Sequence, residues 1–155
     1  MRLVLFILLL SFIFEARVKT QLVTTQADDT LVISSTQSSD QRSPVIKIFQ
    51  NVEYGLQNNV VDRFAKEFGE IVSMTISSGE HGYYSANQAV LVLIGYFSER
   101  RLVSFMFSRI HEKGSAPYAT GRFIYVQRGI QKSVQVYVSL TREDSHWVIS
   151  QFNIY

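Results

Sequence analysis

The last third of this chain is four strand-like segments with only short turns between them, and that fixes half of the architecture. Residues 102–111, 118–127, 131–141 and 147–154 are separated by Lys113-Gly114-Ser115, Arg128-Gly129 and Glu143-Asp144, which are hairpin signals. Connections this short cannot carry a parallel crossover, so the segments must form an antiparallel meander. Within the third segment Val134, Val136, Val138 and Leu140 alternate with Ser133, Gln135, Tyr137 and Ser139. One face of the sheet is therefore apolar and needs a cover.

The cover is encoded upstream. Ser43-Pro44 starts a helix, with Ser as N-cap and Pro at the first position, where a missing N–H costs nothing. Val45, Phe49, Val52 and Leu56 follow on one helical face. After Asn58-Asn59 a second helix is predicted over residues 60–68, ended by Gly69, with Val60, Val61, Phe64 and Phe68 inward and Asp62, Arg63, Lys66 and Glu67 wet. Residues 70–77 carry Ile71, Val72, Thr75 and Ile76 and predict a strand. A loop over 78–82 leads to Ser85 and Gln88, a capping box, and to a helix over 86–98. That helix is apolar almost all round and is expected to be the most buried. The sum is an α+β roll in the order α-α-β-α-β-β-β-β, a curved antiparallel sheet wrapped around helices. Its 44–155 portion is one domain, large enough to bury about two thirds of its unfolded surface.

Residues 1–20 read as an export segment: Arg2 precedes an apolar run over 3–14 broken only by Ser11. Spanning a bilayer takes about 20 apolar residues, so no anchor is expected once the segment is removed, with cleavage between Ala16 and Gln21. The chain has 0 Cys, which excludes lipid attachment at a cysteine, disulfides and a thiolate nucleophile. The expected location is therefore the periplasm or exterior, and not as a lipoprotein. Residues 21–43 are rich in Ser, Thr, Gln and Asp and read as a flexible polar tether. Its one apolar triplet, Leu31-Val32-Ile33, offers an added strand or partner-binding arm.

The order of short motifs over residues 44–155 resembles a family of exported bacterial proteins classed as a domain of unknown function. They are Tyr84-Ser85-x-x-Gln88-Ala89, Gly95-Tyr96-Phe97, Ser104-Phe105, His111-x-x-Gly114-Ser115, Tyr118-x-x-Gly121 and Ile149-x-x-Phe152-x-Ile154. The chain departs from the family in its long tether and in Gln135, where an Arg is expected. The resemblance implies the nuclear transport factor 2-like, or cystatin-like, fold. Relatives in that superfamily include isomerases, dehydratases and modules that only bind or dimerise, so the fold does not choose an activity.

Catalysis of the ketosteroid isomerase type needs an acid and a Tyr converging in an apolar cavity. Tyrosines are plentiful, but among the acids only Glu70 and Glu80 are expected near a cavity mouth. His81, His111 and His146 lie at no metal-ligand spacing, and His111 is expected to fix the turn after it by a hydrogen bond. No Gly-rich phosphate loop occurs, and no cofactor is expected. The leading expectation is a non-catalytic binding module with a ligand mouth at Tyr54, Tyr84, Phe107 and Tyr125. The alternative is a small-molecule isomerase or dehydratase.

Charge is uneven. Residues 44–99 hold 3 basic and 6 acidic side chains, whereas residues 100–142 hold 8 basic and 1 acidic. Arg109, Arg122, Arg128 and Lys132 are the candidate basic surface, suited to an anionic envelope component rather than nucleic acid. The same residues also protect strand edges from aggregation. The expected partners are thus an anionic envelope component or a second copy docked through the sheet.

Overall fold

The computed structural model describes residues 42–155. The export segment over residues 1–20 and the tether up to residue 41 lie outside the described residues. Helix α1 (Pro44–Gln57) begins as its residues dictate: the Ser43 Oγ accepts from the Val45 N–H at 3.2 Å. It buries the expected Val45, Phe49, Val52 and Leu56, and Ile48 beside them. Helix α2 (Asp62–Ala65) is much shorter than the helix expected over 60–68. Phe68 and Gly69 are instead taken into strand β1 (Phe68–Ile76), where Phe68 pairs with Ile149. The Ile149 N–H donates to the Glu67 carbonyl at 2.6 Å. A nine-residue helix is marginal alone, and a ladder to a distant strand wins.

Strand β2 (His81–Ser85) begins within the loop expected over 78–82 and runs on to the cap of the next helix. It pairs antiparallel with β1, placing Tyr83 opposite Ser73 and Tyr84 opposite Val72. Helix α3 (Ala86–Ser98) follows from a complete capping box, the Ser85 N–H donating to Gln88 Oε1 at 2.9 Å. Strands β3 (Arg101–His111), β4 (Tyr118–Gln127), β5 (Ile130–Glu143) and β6 (His146–Ile154) form the expected meander. The sheet order is β2-β1-β6-β5-β4-β3, and β1 lies parallel to β6 while its other neighbours pair antiparallel. The architecture is the α+β roll with one strand more than the sequence suggested.

Helix α3 is not the most buried helix. It buries Ala89, Leu93, Tyr96 and Phe97, while Leu91 is 68% and Ile94 44% exposed. A sheet offers one face, and α1 occupies it more deeply with six buried positions. Helix α1 also seals the free edge of β3. Glu53 Oε1 accepts from the Phe107 N–H at 2.8 Å, and Gln57 Nε2 donates to the Phe105 carbonyl at 3.0 Å. Those side chains occupy backbone groups that would otherwise invite another strand.

Two helical glycines make opposite predictions. A Cβ on Gly55 would sit 2.5 Å from the Phe64 ring and 2.8 Å from the Val60 carbonyl oxygen, whereas Gly95 has nothing within 4 Å. Helix propensity alone favours Ala over Gly by about 1 kcal/mol at either site. Gly95→Ala is therefore expected to raise the urea midpoint and Gly55→Ala to lower it. Equal shifts of the same sign would show that the α1–α2 contact is not close.

Candidate functional site

The four residues expected at a ligand mouth are not gathered there. Phe107 and Tyr125 are buried near opposite ends of a run of packed rings. Phe107 meets Phe49 at 5.9 Å and Phe105 at 5.0 Å, Phe105 meets Phe123 at 6.3 Å, and Phe123 meets Tyr125 at 5.6 Å. Tyr54 faces solvent with the Arg63 guanidinium 5.3 Å from its ring centre. Tyr84 is half-buried on β2 against Val72. Alternation along the strands identified Phe107 and Tyr125 as inward-facing; it does not tell a cavity wall from a filled core.

The two candidate acids part company as well. Glu70 is exposed on β1, where its N–H donates to Glu143 Oε2 at 3.3 Å. Glu80 shares a surface hollow with Tyr96 and Arg100. A hydrogen bond from the Ser78 hydroxyl, then its own backbone N–H, holds the Glu80 carboxyl below its ordinary 4.5. Burial pushes the Tyr96 phenol above its ordinary 10.0, against a hydrogen bond shared with the Ser77 hydroxyl at 3.1 Å and the Arg100 charge. Arg100 lies 3.7 Å from the centre of the Tyr96 ring and donates to the Tyr96 carbonyl.

The candidate basic surface divides between faces. Arg109 pairs with Thr120, and Arg122, two residues on, shares that outer face with Met106 and Gln135. Lys132 pairs with Tyr125 on the opposite, helix-covered face, at an end where it is exposed. Arg128 sits in the β4–β5 turn at φ 51°. His111 does not anchor its turn by a hydrogen bond among the described residues; it stacks on Tyr118 at 5.2 Å, and Tyr118 on Tyr137 at 5.7 Å.

A different cationic site appears beside the β5–β6 hairpin. A half-open cleft of about 480 Å³ is lined by Lys47 from α1, Lys66 and Glu67 from the turn before β1, Arg142 from β5, and His146 and Trp147 from β6. Arg142 and Trp147 are a cross-strand pair, with the guanidinium 5.5 Å from the indole ring. The Glu67 carboxylate is held by the Asn51 amide at 3.0 Å. Its residues stand up to 100 positions apart, so no motif announces it. The signal that was available is a lone Trp at a hairpin end, flanked by Arg142 and His146. Among the described residues no group of three His, Cys, Asp or Glu side chains is placed to hold a metal ion, and no helix is long and apolar enough to cross a membrane.

No curated protein matches the chain. Its fold is similar to that of a DUF4783 family protein from Bacteroides uniformis, at a TM-score of 0.61 and 15% identity over 68% of this chain and 93% of that one. It is also similar to a nuclear transport factor 2-like protein of unknown function from Shewanella oneidensis, at a TM-score of 0.51 and 11% identity over 72% and 95%. A third similar structure is an epoxide hydrolase from M. tuberculosis, at a TM-score of 0.55 and 13% identity over 72% and 77%. Identities this low carry the fold and no activity. Residues 49–155 match the pattern of DUF4783, a domain of unknown function, and the chain accordingly belongs to that family with a nuclear transport factor 2-like fold.

Proposed function

We propose that this protein is an exported, non-catalytic binding module. The observation that carries the reading is the filled interior. Phe49, Phe64, Phe123, Phe152, Leu56, Met74 and Leu93 are all less than 2% exposed in the space between helices and sheet. An isomerase of this fold class holds its acid and Tyr in a cavity there. Glu80, which shares a hollow with Tyr96, has its carboxyl shifted down, whereas a general acid working at neutral pH needs it shifted up. Export rests on Arg2 and the apolar run over residues 3–14.

The outer sheet face supports a second copy of the chain as one partner: Met106 is 65%, Ile71 54% and Tyr83 80% exposed there. Crosslinking in the native envelope tests both statements. The expected result is a reproducible adduct mapping to the surface, with chain-to-chain adducts on the outer sheet face reporting the dimer. Turnover of a small molecule that is lost in both Tyr96→Phe and Glu80→Gln overturns the binding reading in favour of the enzyme.

A further inference from the structure

We propose that the cleft floored by Trp147 binds an anionic sugar residue of a glycan. The inference rests on the binding-module reading and assigns that module its site and ligand class. Three elements and a turn bring Lys47, Lys66, Arg142 and His146 to one concavity of about 480 Å³. Gathering the charges of Lys47, Lys66 and Arg142 costs repulsion that an anionic ligand relieves. One carboxylate, Glu67, held by the Asn51 amide at 3.0 Å, faces the three cations, which remain in excess.

The aromatic floor narrows the class. Trp147 is half-buried and lines the cleft, with the Arg142 guanidinium over one face of its ring, 5.5 Å from the ring centre. An indole presents a broad apolar face with a polar edge, which suits a ring that is apolar on one side and hydroxylated around its rim. The neighbouring lysines and arginine supply charge-assisted hydrogen bonds to a carboxylate, sulfate or phosphate on that ring. The volume falls within the about 300–1,000 Å³ of small-ligand sites, so it takes one or two sugar rings and not a duplex. Arg109 and Arg122 lie on the outer sheet face among the meander strands and do not line this cleft.

Trp147 is the only Trp in the chain, so intrinsic tryptophan fluorescence reports on this site alone. The mature chain is titrated at physiological salt with tetragalacturonate, with maltotetraose and with inorganic phosphate. The expected result is a saturable change with tetragalacturonate, none with maltotetraose, and phosphate weaker by about tenfold or more. The exposed pair Lys47→Gln/Lys66→Gln is expected to weaken tetragalacturonate by about tenfold or more with an unchanged melting curve, while Arg122→Gln binds like wild type. An equal response to maltotetraose, phosphate binding as tightly as the acidic sugar, or an equal loss in Arg122→Gln overturns the assignment. Silence toward tetragalacturonate alongside a crosslinked partner elsewhere defeats the cleft and leaves the module standing. Turnover dependent on Tyr96 defeats the module reading on its own.

Discussion

Phe152→Ala is expected to remove about 3–5 kcal/mol of folding stability. Phe152 is fully buried on β6, stacked on Phe64 at 6.1 Å and tilted against Phe68 at 6.3 Å. It therefore joins the helical cover to the middle of the sheet, and its loss leaves a void between elements that cannot close independently. A domain of this size has about 5–15 kcal/mol in total, so the change takes about a fifth or more of it. The chain has 0 Cys, and no disulfide offsets the loss. Urea denaturation followed by circular dichroism should show the midpoint fall by about 2 M at an ordinary slope. Leu91→Ala, at a site 68% exposed, is the internal standard and should stay within about 0.5 kcal/mol. Comparable shifts for the two variants would contradict the placement of both residues.

Gly121→Ala should be nearly as damaging although it adds a single carbon. A Cβ there would lie 2.5 Å from the Met106 carbonyl oxygen and 3.1 Å from both its carbon and the Phe105 ring. Two of those atoms are backbone of the neighbouring strand, and they belong to an irregular stretch where the β3–β4 register shifts between Phe107 and Arg109. Replacing Gly by Ala inside a strand ordinarily gains about 0.5–1 kcal/mol. Here the strands must part, and overpacking of this kind costs about 1–3 kcal/mol. Because the obstacle is main chain, the upper end of that range is expected, again read from the urea midpoint. A stabilised Gly121→Ala would show that β3 and β4 are farther apart at this point than their pairing requires.

What was legible in the sequence was what neighbouring residues decide together. The Ser43-Pro44 start, the Ser85/Gln88 capping box and the alternation of Val134, Val136, Val138 and Leu140 all follow from interactions within a few positions. The two helix starts stand in the structure, and the alternation holds to Val138 but breaks at Ser139, which is buried where the register with β6 shifts. Strand β2 was missed because His81-Gly82 is a poor strand start, and only its pairing with β1 makes it one. Helix α3 was overrated because apolar content cannot say how many faces the sheet will cover. The Trp147 cleft was invisible for a related reason. Lys47, Lys66 and Arg142 become neighbours only when β1 lies against β6, a contact between residues such as Phe68 and Ile149. The ring run through Phe107 and Tyr125 shows the converse limit: direction was readable, but the packing around it was not.

The placement of β6 between β1 and β5 has a consequence for the order of assembly. It is the last of the six strands along the chain and sits among the first and the rest. As the polypeptide is made, α1, α2, β1, β2 and α3 emerge before the meander, and β1 has no link to it until the last strand follows. The meander can zip locally from its hairpins and take α1 against β3, yet the β1–β2 pair joins the sheet only when β6 docks β1 across more than seventy residues. Pairings of such sequence separation slow folding. The domain is therefore expected to stay open during synthesis and to close in one late step, so that a ribosome stalled short of residue 146 holds a chain that cannot begin its final collapse.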